Sequence, residues 1–431
     1  MGHEERSINK PGTNMPRLSV FGLGKLGACM AATFAQQGFE VIGVDINPQV
    51  VKDINSGLAP VAEPLLQQAI DAGRDRLSAS LDPTDGSLTD VSFFIVPTPS
   101  LPDGSFSNEL LMRAMAPLAR AVRESGKPGH IFVVSSTTTP GACENVIIPM
   151  LEKETGGRVG VDFGFVYNPE FIALGDVIQG LLSPDLVLIG ESDPRSGNVL
   201  ESIYRRYNTN RPHLARMSIT SAELTKISVN SYITTKISFT NQLRMIAEEY
   251  ENTDIHAILD AIGADSRIGH KYLRAGLSYG GPCFPRDNRL LSFAARRAGV
   301  SAPLAEASDQ VNEITKEKLA EQAIAATQPS DTIAVLGMAY RPHTYIVEES
   351  AGLHIAQYLK RHERRVVVHD FAANTVNSPS LLEFDELEEL SGLSKLSSLT
   401  AVVICSPWDG YRDLEVPEGA VVLDPWGVLQ G

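Results

Sequence analysis

A single cysteine lies in the segment of this 431-residue chain with the most chemically active side chains. The segment reads Gly-Leu-Ser-Tyr-Gly-Gly-Pro-Cys-Phe-Pro-Arg-Asp over residues 276–287, so glycines and prolines define a loop around the Cys283 thiol. The neighbouring Arg286 can favour the thiolate, which is the nucleophilic form of cysteine. Asp287 can hold a water molecule or act as a base. Cys283 is therefore interpreted either as a nucleophile or as a buried core residue, and the second is the more common role of a free cysteine.

A lysine and an asparagine, Lys226 and Asn230, stand four positions apart in a segment with helical apolar spacing. Residues four apart lie on one helix face, so both side chains can point at one oxygen atom. Without the cysteine loop, a solvated lysine beside a helical asparagine would be the better interpretation. Glu170 follows a proline, and on its own it could equally be an acid at a helix N-terminus that faces the helix dipole.

A glycine motif, Gly-Leu-Gly-Lys-Leu-Gly, occupies residues 22–27 between a short apolar strand and a helical segment. Gly22 permits a tight turn, Gly24 lets the backbone approach a pyrophosphate, and Gly27 lets the helix pack closely on the strand. The next strand ends in Asp45, which can accept both ribose hydroxyls and would repel a 2′-phosphate. This pattern favours NAD over NADP, against the alternative of a glycine turn that binds no ligand.

Further apolar strands and helices must position these residues. Polar residues such as Thr98, Thr137 and Glu170 follow three of the strands, where ligands bind in open α/β sheets. The fold class is therefore α/β, with one Rossmann-like domain up to residue 212. The predicted strands of this domain are residues 17–21, 40–44, 92–96, 131–135, 163–167 and 186–189, the last of these closing the sheet.

A long helix is predicted over residues 218–251, because no glycine or proline occurs between Pro212 and Gly263. A helix this long is expected to cross between domains or subunits. Near Asp331 the strand and helix pattern restarts without a GxGxxG motif, so this second Rossmann-like unit is not expected to hold a dinucleotide. The predicted divisions are a leader (1–16), an N-terminal domain (17–212), a central helical domain (213–328) and a C-terminal domain (329–431).

The composition excludes several classes of protein. Lys plus Arg total 37 and Asp plus Glu total 52, a net charge of −15 that argues against a nucleic-acid partner. No apolar run is long enough to span a membrane, and the polar leader has no apolar core typical of a secretory signal. The four cysteines lie far apart, so neither a metal site nor a disulfide framework is expected. A reduced, cytoplasmic protein is the default expectation.

The chain resembles the UDP-glucose/GDP-mannose dehydrogenase family over about residues 16–426. Besides the glycine motif, the Lys226/Asn230 helix and the cysteine loop, the shared motifs are Val-Pro-Thr-Pro at 96–99, Ser-Thr at 136–137 and Asn-Pro-Glu-Phe at 168–171. The resemblance implies an N-terminal NAD domain, a central helical domain that forms a homodimer, and a C-terminal nucleotide-sugar domain. It also implies oxidation of a sugar C6 alcohol to a carboxylate with two NAD.

The resemblance assigns Cys283 the role of nucleophile. Four-electron oxidation needs a tetrahedral adduct for the second hydride transfer, and a thiolate supplies one as a thiohemiacetal. Oxidation of that adduct leaves a thioester, which water must hydrolyse. Lys226 and Asn230 are implied to stabilise the oxyanion in both halves of the reaction.

Glu170 is implied to activate the hydrolytic water, with Asp287 and Thr137 in support. Arg267 is implied to reach into the site of the partner subunit. The implied cofactor contacts are Gly22, Gly24, Lys25, Leu26, Gly27, Asp45, Pro97, Thr98, Thr137 and Arg286. The implied substrate contacts are Glu170, Phe171, Ile172, Lys226, Asn230, Arg267, Tyr272, Tyr279, Gly280, Phe284, Tyr340 and Arg341.

The chain departs from the family pattern at three places. Leu174 and Glu348 stand where the family often has Glu and Arg, and residues 424–427 replace a segment that carries an arginine in some members. These changes leave the core reaction unaffected and bear on cofactor affinity and sugar choice.

UDP-glucose is the first expected substrate. GDP-mannose and a UDP-N-acetylhexosamine are the alternatives within the family. A β-hydroxyacid dehydrogenase shares the NAD domain and a Lys-x-x-x-Asn helix, but it needs neither the Cys283 loop nor residues 331–431. A non-catalytic binder of NAD or a sugar nucleotide would leave the complete set of reactive side chains unexplained.

Overall fold

The computed structural model describes residues 15–172, 175–396 and 398–430, so Leu174 and most of the predicted leader lie outside the described residues. The chain forms two compact units. The first comprises residues up to 99 together with 107–223, and the second comprises residues 100–106 together with 224–431. Each unit is described in turn.

The first unit contains an eight-stranded sheet in the order β3-β2-β1-β4-β5-β6-β7-β8. Neighbouring strands are parallel except for the antiparallel pair β6 and β7. The strands are β1 (Leu18–Phe21), β2 (Val41–Val44), β3 (Leu77–Ser80), β4 (Val91–Phe94), β5 (Ile131–Val134), β6 (Gly164–Tyr167), β7 (Leu186–Glu191) and β8 (His213–Met217).

Two of these strands, β3 and β8, are absent from the sequence prediction, which wrongly ended the sheet at residue 189. Both are edge strands and only partly buried, so neither has the continuous apolar run that marks a central parallel strand. β8 also lies beyond residue 212, the predicted end of the N-terminal domain, yet it pairs with β7.

Helices cover both faces of this sheet, because successive strand residues point to opposite sides. Val20 belongs to one buried cluster and Phe21 to the other, and Val133 and Phe132 divide in the same way. The helices are α1 (Lys25–Gln36), α2 (Pro48–Ser56), α3 (Leu66–Gly73), α4 (Glu109–Ser125), α5 (Ile148–Thr155), α6 (Val177–Leu182) and α7 (Pro194–Tyr207).

A long helix, α8 (Ile219–Ala247), begins in the first unit and continues into the second. This helix ends four residues before residue 251, its predicted last residue. Asn252 adopts a left-handed conformation with φ of 62°, and the Asp254 carboxylate then caps the next helix by accepting the backbone N–H groups of His256 and Ala257. The following helices are α9 (Ile255–Ala264), α10 (Phe284–Arg297) and α11 (Pro303–Ala325).

The second unit also holds a parallel five-stranded sheet in the order β11-β10-β9-β12-β13. The predicted fold class is confirmed: two Rossmann-like sheets joined by a helical segment with one long helix. Among the described residues, no helix combines the length and hydropathy needed to cross a bilayer. The elements are β9 (Thr332–Leu336), α12 (Ala351–Arg361), β10 (Arg365–His369), β11 (Asp385–Glu386), β12 (Leu399–Ile404) and β13 (Val421–Leu423).

Candidate active site

The glycine turn after β1 leaves open space at one of its three glycines. Gly22 has a φ of 88°, and a Cβ atom there would lie 2.3 Å from the Ile95 carbonyl oxygen. A Cβ atom on Gly27 would lie 1.8 Å from the Gly22 carbonyl oxygen. At Gly24, a Cβ atom would meet no atom of the described residues within 4 Å. Packing thus requires the first and third glycines, whereas the second leaves space at the N-terminus of α1 where a pyrophosphate fits.

Asp45, directly after β2, is fixed beside this turn. One carboxylate oxygen accepts the Leu23 backbone N–H at 2.6 Å, and the other accepts the Asn47 backbone N–H at 2.8 Å. A carboxylate has about four acceptor positions, so those that remain can accept ribose hydroxyls. The turn and Asp45 together fit the adenosine half of a dinucleotide.

Polar residues follow β4, β5 and β6, which are adjacent parallel strands in the middle of the sheet. The Thr98 hydroxyl donates to the Thr137 carbonyl oxygen at 2.8 Å, which ties the first two loops together, and Pro97 beside them is exposed. The chain adds β2 and β3 on one side of β1, and β4, β5 and β6 on the other side. The strand order therefore reverses between β1 and β4, and ligands bind at such a switch point in open α/β sheets.

Glu170 is held by a buried tyrosine that the sequence analysis missed. The single proton of the Tyr204 hydroxyl, on α7, is shared between the Asn168 side-chain oxygen at 2.5 Å and the Glu170 carboxylate at 3.2 Å. Nothing in the spacing of the sequence links residues 168–170 with a tyrosine more than thirty positions away. Phe171 and Ile172, the adjacent predicted contacts, are half-buried.

In the second unit, the structure brings Lys226 and Asn230 together with the cysteine loop. Both side chains are buried on α8, and the Asn230 amide donates to the Asp287 carboxylate at 2.6 Å. Asp287 lies in the first turn of α10, whose N-cap is the exposed Cys283. A buried ammonium, amide and carboxylate therefore accompany a thiol that solvent can reach.

The surroundings of Cys283 shift the pKa of its thiol upward. Packing of the surrounding loop raises the pKa of the thiol above its ordinary value, and the nearby carboxylates of Asp287 and Glu348 raise it further. Lys226 and Arg286 lower this pKa without overcoming those effects. Arg286 thus favours the thiolate, as the sequence predicts, but desolvation by the surrounding protein is the larger effect on this pKa.

Arg286 has partners within the second unit. Its guanidinium donates to the Ser100 hydroxyl at 2.9 Å and lies 4.3 Å from the centre of the Phe106 ring.

The pKa of Asp287 is raised chiefly by burial, and Lys226 and Asn230 oppose that rise. The cluster thus contains two acidic groups that both retain protons more readily than they would in water.

We expect Asp287→Asn to shift ionisation of Cys283 to lower pH. The Asp287 carboxylate disfavours the thiolate, so removing its charge should lower the midpoint of Cys283 alkylation by iodoacetamide by roughly 0.5–1 pH unit. Mass spectrometry of the Cys283 peptide across a pH series measures this. Asp413→Asn, which removes the same charge at an exposed position, is the control. An unchanged or higher midpoint would refute the electrostatic account.

The aromatic residues of the loop divide into buried and exposed members. Tyr279 is buried, and its hydroxyl donates to Asp309 on α11 at 2.5 Å, so that hydroxyl already has a partner other than a sugar. Tyr272 is 48% exposed in a left-handed conformation, and its ring meets Phe284 edge-on. Arg267 is also exposed and ion-paired with Asp265.

The C-terminal sheet has its own glycine turn, which the sequence motif did not reveal. Gly337 has a φ of 92°, and a Cβ atom on Gly352 would lie 2.2 Å from the Gly337 carbonyl oxygen, as in the pair Gly22 and Gly27. Residues between these glycines include Tyr340 and Arg341, which are both predicted substrate contacts. Packing of Tyr340 on the cysteine loop is so close that a Cβ atom on Gly281 would lie 2.7 Å from its ring.

Asp370, at the end of β10, corresponds in place to Asp45. Its carboxylate accepts the backbone N–H groups of Ala339, Ala372 and Ala373. Three backbone donors occupy most of its acceptor positions. This unit is therefore built differently from the dinucleotide turn of the first unit. Among the described residues, no cluster of His, Cys, Asp and Glu side chains could hold a metal ion.

Three family models match successive parts of the chain. All three carry the description UDP-glucose/GDP-mannose dehydrogenase family. Its NAD binding domain matches residues 16–208, its central domain matches 220–314, and its UDP binding domain matches 334–431.

Individual proteins of known sequence or structure match over most of the chain. The UDP-glucose 6-dehydrogenase AglM of Haloferax volcanii is 32% identical, covering 92% of this chain and 93% of its own. The GDP-mannose 6-dehydrogenase of Pseudomonas aeruginosa is also 32% identical, covering 81% and 80%. The structure of a UDP-glucose dehydrogenase from Pyrobaculum islandicum superposes with a TM-score of 0.89 at 31% identity, covering 98% and 96%.

Proposed function

Since the chain belongs to the UDP-glucose/GDP-mannose dehydrogenase family and is an NAD-dependent nucleotide-sugar dehydrogenase, we propose that it oxidises UDP-glucose to UDP-glucuronate. The observation that carries the chemistry is the buried cluster of Lys226, Asn230 and Asp287 beside Cys283. The choice of sugar is supported by the name of the Haloferax volcanii relative, 93% of whose length is covered by the match.

The proposed reaction proceeds through a covalent adduct on Cys283. Loss of a hydride and a proton converts the C6 alcohol to an aldehyde, and the thiol adds to that aldehyde to give a thiohemiacetal. Loss of a second hydride and proton gives a thioester, and one water molecule hydrolyses it to the carboxylate and the free thiol. NAD, when bound, accepts the hydride in each oxidation, so two NAD and one water are consumed per sugar.

Each polar residue of the cluster has a proposed task, and so have two residues of the first unit. The Lys226 ammonium and the Asn230 amide stabilise the oxyanion that forms at C6 in both halves of the reaction. Asp287 orients Asn230 through their 2.6 Å hydrogen bond and supports the hydrolytic water. Glu170, oriented by Tyr204, acts as the base that activates this water, with Thr137 in support.

We expect NAD to be preferred over NADP. A 2′-phosphate at the ribose would bring negative charge against Asp45, which is held in place by the Leu23 and Asn47 backbone N–H groups. At about 4 Å such repulsion amounts to roughly 1–4 kcal/mol, or about 5- to 10³-fold in kcat/KM. Initial rates with each cofactor test this expectation, and equal kcat/KM values would contradict it.

A homodimer built on α8 is part of the proposal. Tyr232, Phe239 and Ile246 are spaced seven residues apart on this helix and are 70%, 50% and 48% exposed. Large apolar side chains repeated at this spacing form a stripe that fits a partner helix. A cavity of about 450 Å³ continues the stripe between α8 and α11, and its lining residues are Gln242, Met245, Ile246, Glu249, Tyr250, Val311, Ile314 and Lys318. The exposed Arg267 completes the site of the partner subunit in this proposal.

Placing a charge in the stripe should separate the subunits. We expect Phe239→Arg to sediment as a monomer and to lose roughly 10²-fold in kcat/KM, because a site that lacks Arg267 of the partner subunit binds substrate in poor geometry. Leu110→Arg, an equally drastic change at an exposed leucine of α4, is the matched control. A fully active monomer would show that assembly is not needed for activity.

The experiment that tests the substrate is a panel of nucleotide sugars with NAD. UDP-glucose is expected to give the highest kcat/KM, with formation of the uronic acid confirmed by mass spectrometry. A preference for GDP-mannose, the substrate named for relatives of similar identity, or for a UDP-N-acetylhexosamine would reassign the sugar within the family. Oxidation of a β-hydroxyacid alone would contradict the proposal, as would a complete lack of turnover.

A reducing, cytoplasmic location is also proposed, which the free thiols of all four cysteines support.

A further inference from the structure

Two buried asparagines bind the backbone of the cysteine loop at neighbouring points. The Asn241 side chain, on α8, accepts the Gly276 backbone N–H at 3.2 Å and donates to the Leu277 carbonyl oxygen at 2.8 Å. The Asn312 side chain, on α11, accepts the Tyr279 backbone N–H at 2.8 Å and donates to the Tyr279 carbonyl oxygen at 3.0 Å. Asn241 is 1% exposed and Asn312 is 5% exposed.

These asparagines satisfy backbone groups that have no strand or helix partner. Residues 275–281 are buried, yet they form neither a helix nor a strand. Buried backbone N–H and C=O groups need hydrogen-bond partners, and a carboxamide offers one acceptor and one donor, as a neighbouring strand would. Each asparagine therefore fixes both the position and the orientation of the peptide it binds.

Further contacts fix the position of the cysteine loop. The Tyr279 hydroxyl donates to Asp309, one turn before Asn312, so α11 holds this residue at three points. The Gly281 backbone N–H donates to the Glu348 carbonyl oxygen at 3.0 Å. A Cβ atom on Gly276 would lie 2.3 Å from the Trp426 ring, so the loop has no free space on that side.

We propose that Asn241 and Asn312 are positioning residues that set the place of the Cys283 thiol for attack on the substrate aldehyde. The inference rests on the proposed function, in which Cys283 is the nucleophile. Tyr279 lies four residues before Cys283, and between them Gly281 is held by its hydrogen bond to Glu348 and by the close Tyr340 ring. The position of Tyr279 therefore limits where Cys283 can lie. A misplacement of about 1 Å at a reacting atom costs up to roughly 10²-fold in rate.

Asn312→Ala and Asn241→Ala test this inference with two readouts that should move in opposite directions. Turnover should fall by roughly 10- to 10²-fold while the KM for NAD stays within about twofold, because the cofactor turn is untouched. Alkylation of Cys283 by iodoacetamide at pH 8 should become faster. Packing of the loop raises the pKa of this thiol, so loosening the loop lowers that pKa toward its ordinary value.

The matched control is Thr315→Val. Thr315 is fully buried on the same helix as Asn312, and its hydroxyl donates to the Val311 carbonyl oxygen within that helix. This variant removes a buried polar group without touching the loop, so both turnover and Cys283 alkylation should stay close to those of the wild-type protein.

Three other cysteines report whether the fold stays intact. Cys29, Cys143 and Cys405 are buried, so they should remain unmodified in both asparagine variants. The inference is overturned if turnover and Cys283 alkylation match the wild-type protein. It is equally overturned if turnover falls only together with modification of the buried cysteines, which would show general unfolding. Wild-type protein that oxidises no nucleotide sugar would contradict the proposed function instead, a result independent of the alkylation rates.

Discussion

Replacing Cys283 by serine should abolish formation of the uronic acid. A neutral serine hydroxyl is a poor nucleophile without an adjacent base, so no adduct forms and the second oxidation has no tetrahedral substrate. The loss in turnover to the acid should be at least about 10³-fold, in the range seen when other covalent catalysts lose their nucleophile. The measurement is uronate formed from UDP-glucose and NAD, followed by mass spectrometry.

The other three cysteines provide the control. Cys29, Cys143 and Cys405 are buried, and burial raises the pKa of each thiol. Serine at any of these positions should lower the free energy of unfolding by about 1–3 kcal/mol, because a polar hydroxyl is then buried. The chemistry should stay largely intact. Near-wild-type turnover in Cys283→Ser would assign Cys283 to packing.

Replacing Glu170 by glutamine should separate oxidation from hydrolysis. Glutamine keeps the shape of the side chain and removes the base, which is worth roughly 10²–10⁴ in rate. Neither hydride transfer uses Glu170, because Lys226 and Asn230 stabilise the oxyanion and only the second transfer needs the Cys283 adduct, so both should still occur. Rapid mixing should show a burst of nearly two NADH per site followed by slow turnover, and mass spectrometry should find the sugar nucleotide attached to Cys283.

Tyr204→Phe is the matched control for this experiment. It removes the hydroxyl that donates to Glu170 and Asn168 while leaving the carboxylate itself in place. Hydrolysis should therefore slow by less than in Glu170→Gln. If Glu170→Gln gives neither burst nor adduct, Glu170 acts before the thioester forms or only in structure, and Asp287 becomes the better candidate for the base.

The sequence predicted the elements that have strong local signals. The central strands, the glycine turn and the C-terminal sheet each carry a buried apolar run or a glycine whose conformation the packing requires, as at Gly22. β3 and β8 have neither, because edge strands are only partly buried. The long helix was overextended, because its end is set by the left-handed Asn252 and the cap at Asp254 rather than by glycine or proline.

The candidate site was less predictable than the fold, because its properties arise from three-dimensional surroundings. Spacing placed Lys226 and Asn230 on one helix face, but the hydrogen bond from Asn230 to Asp287 joins residues 57 positions apart. Arg286 lowers the pKa of Cys283 as predicted, but desolvation by the packed loop and the Asp287 and Glu348 carboxylates raise it, and these neighbours are not apparent from the sequence. Asn241 and Asn312 carry no sequence signal, since a buried asparagine on a helix is recognisable only once its backbone partners are known.

The ratio of NADH released to uronate formed tests the central claim most directly. Wild-type protein would be incubated with limiting UDP-glucose and excess NAD until absorbance at the NADH wavelength is constant, and the uronate would then be quantified by mass spectrometry. A four-electron oxidation through a Cys283 adduct predicts two NADH per uronate with no free aldehyde. One NADH per sugar, with the aldehyde as product, would contradict the account.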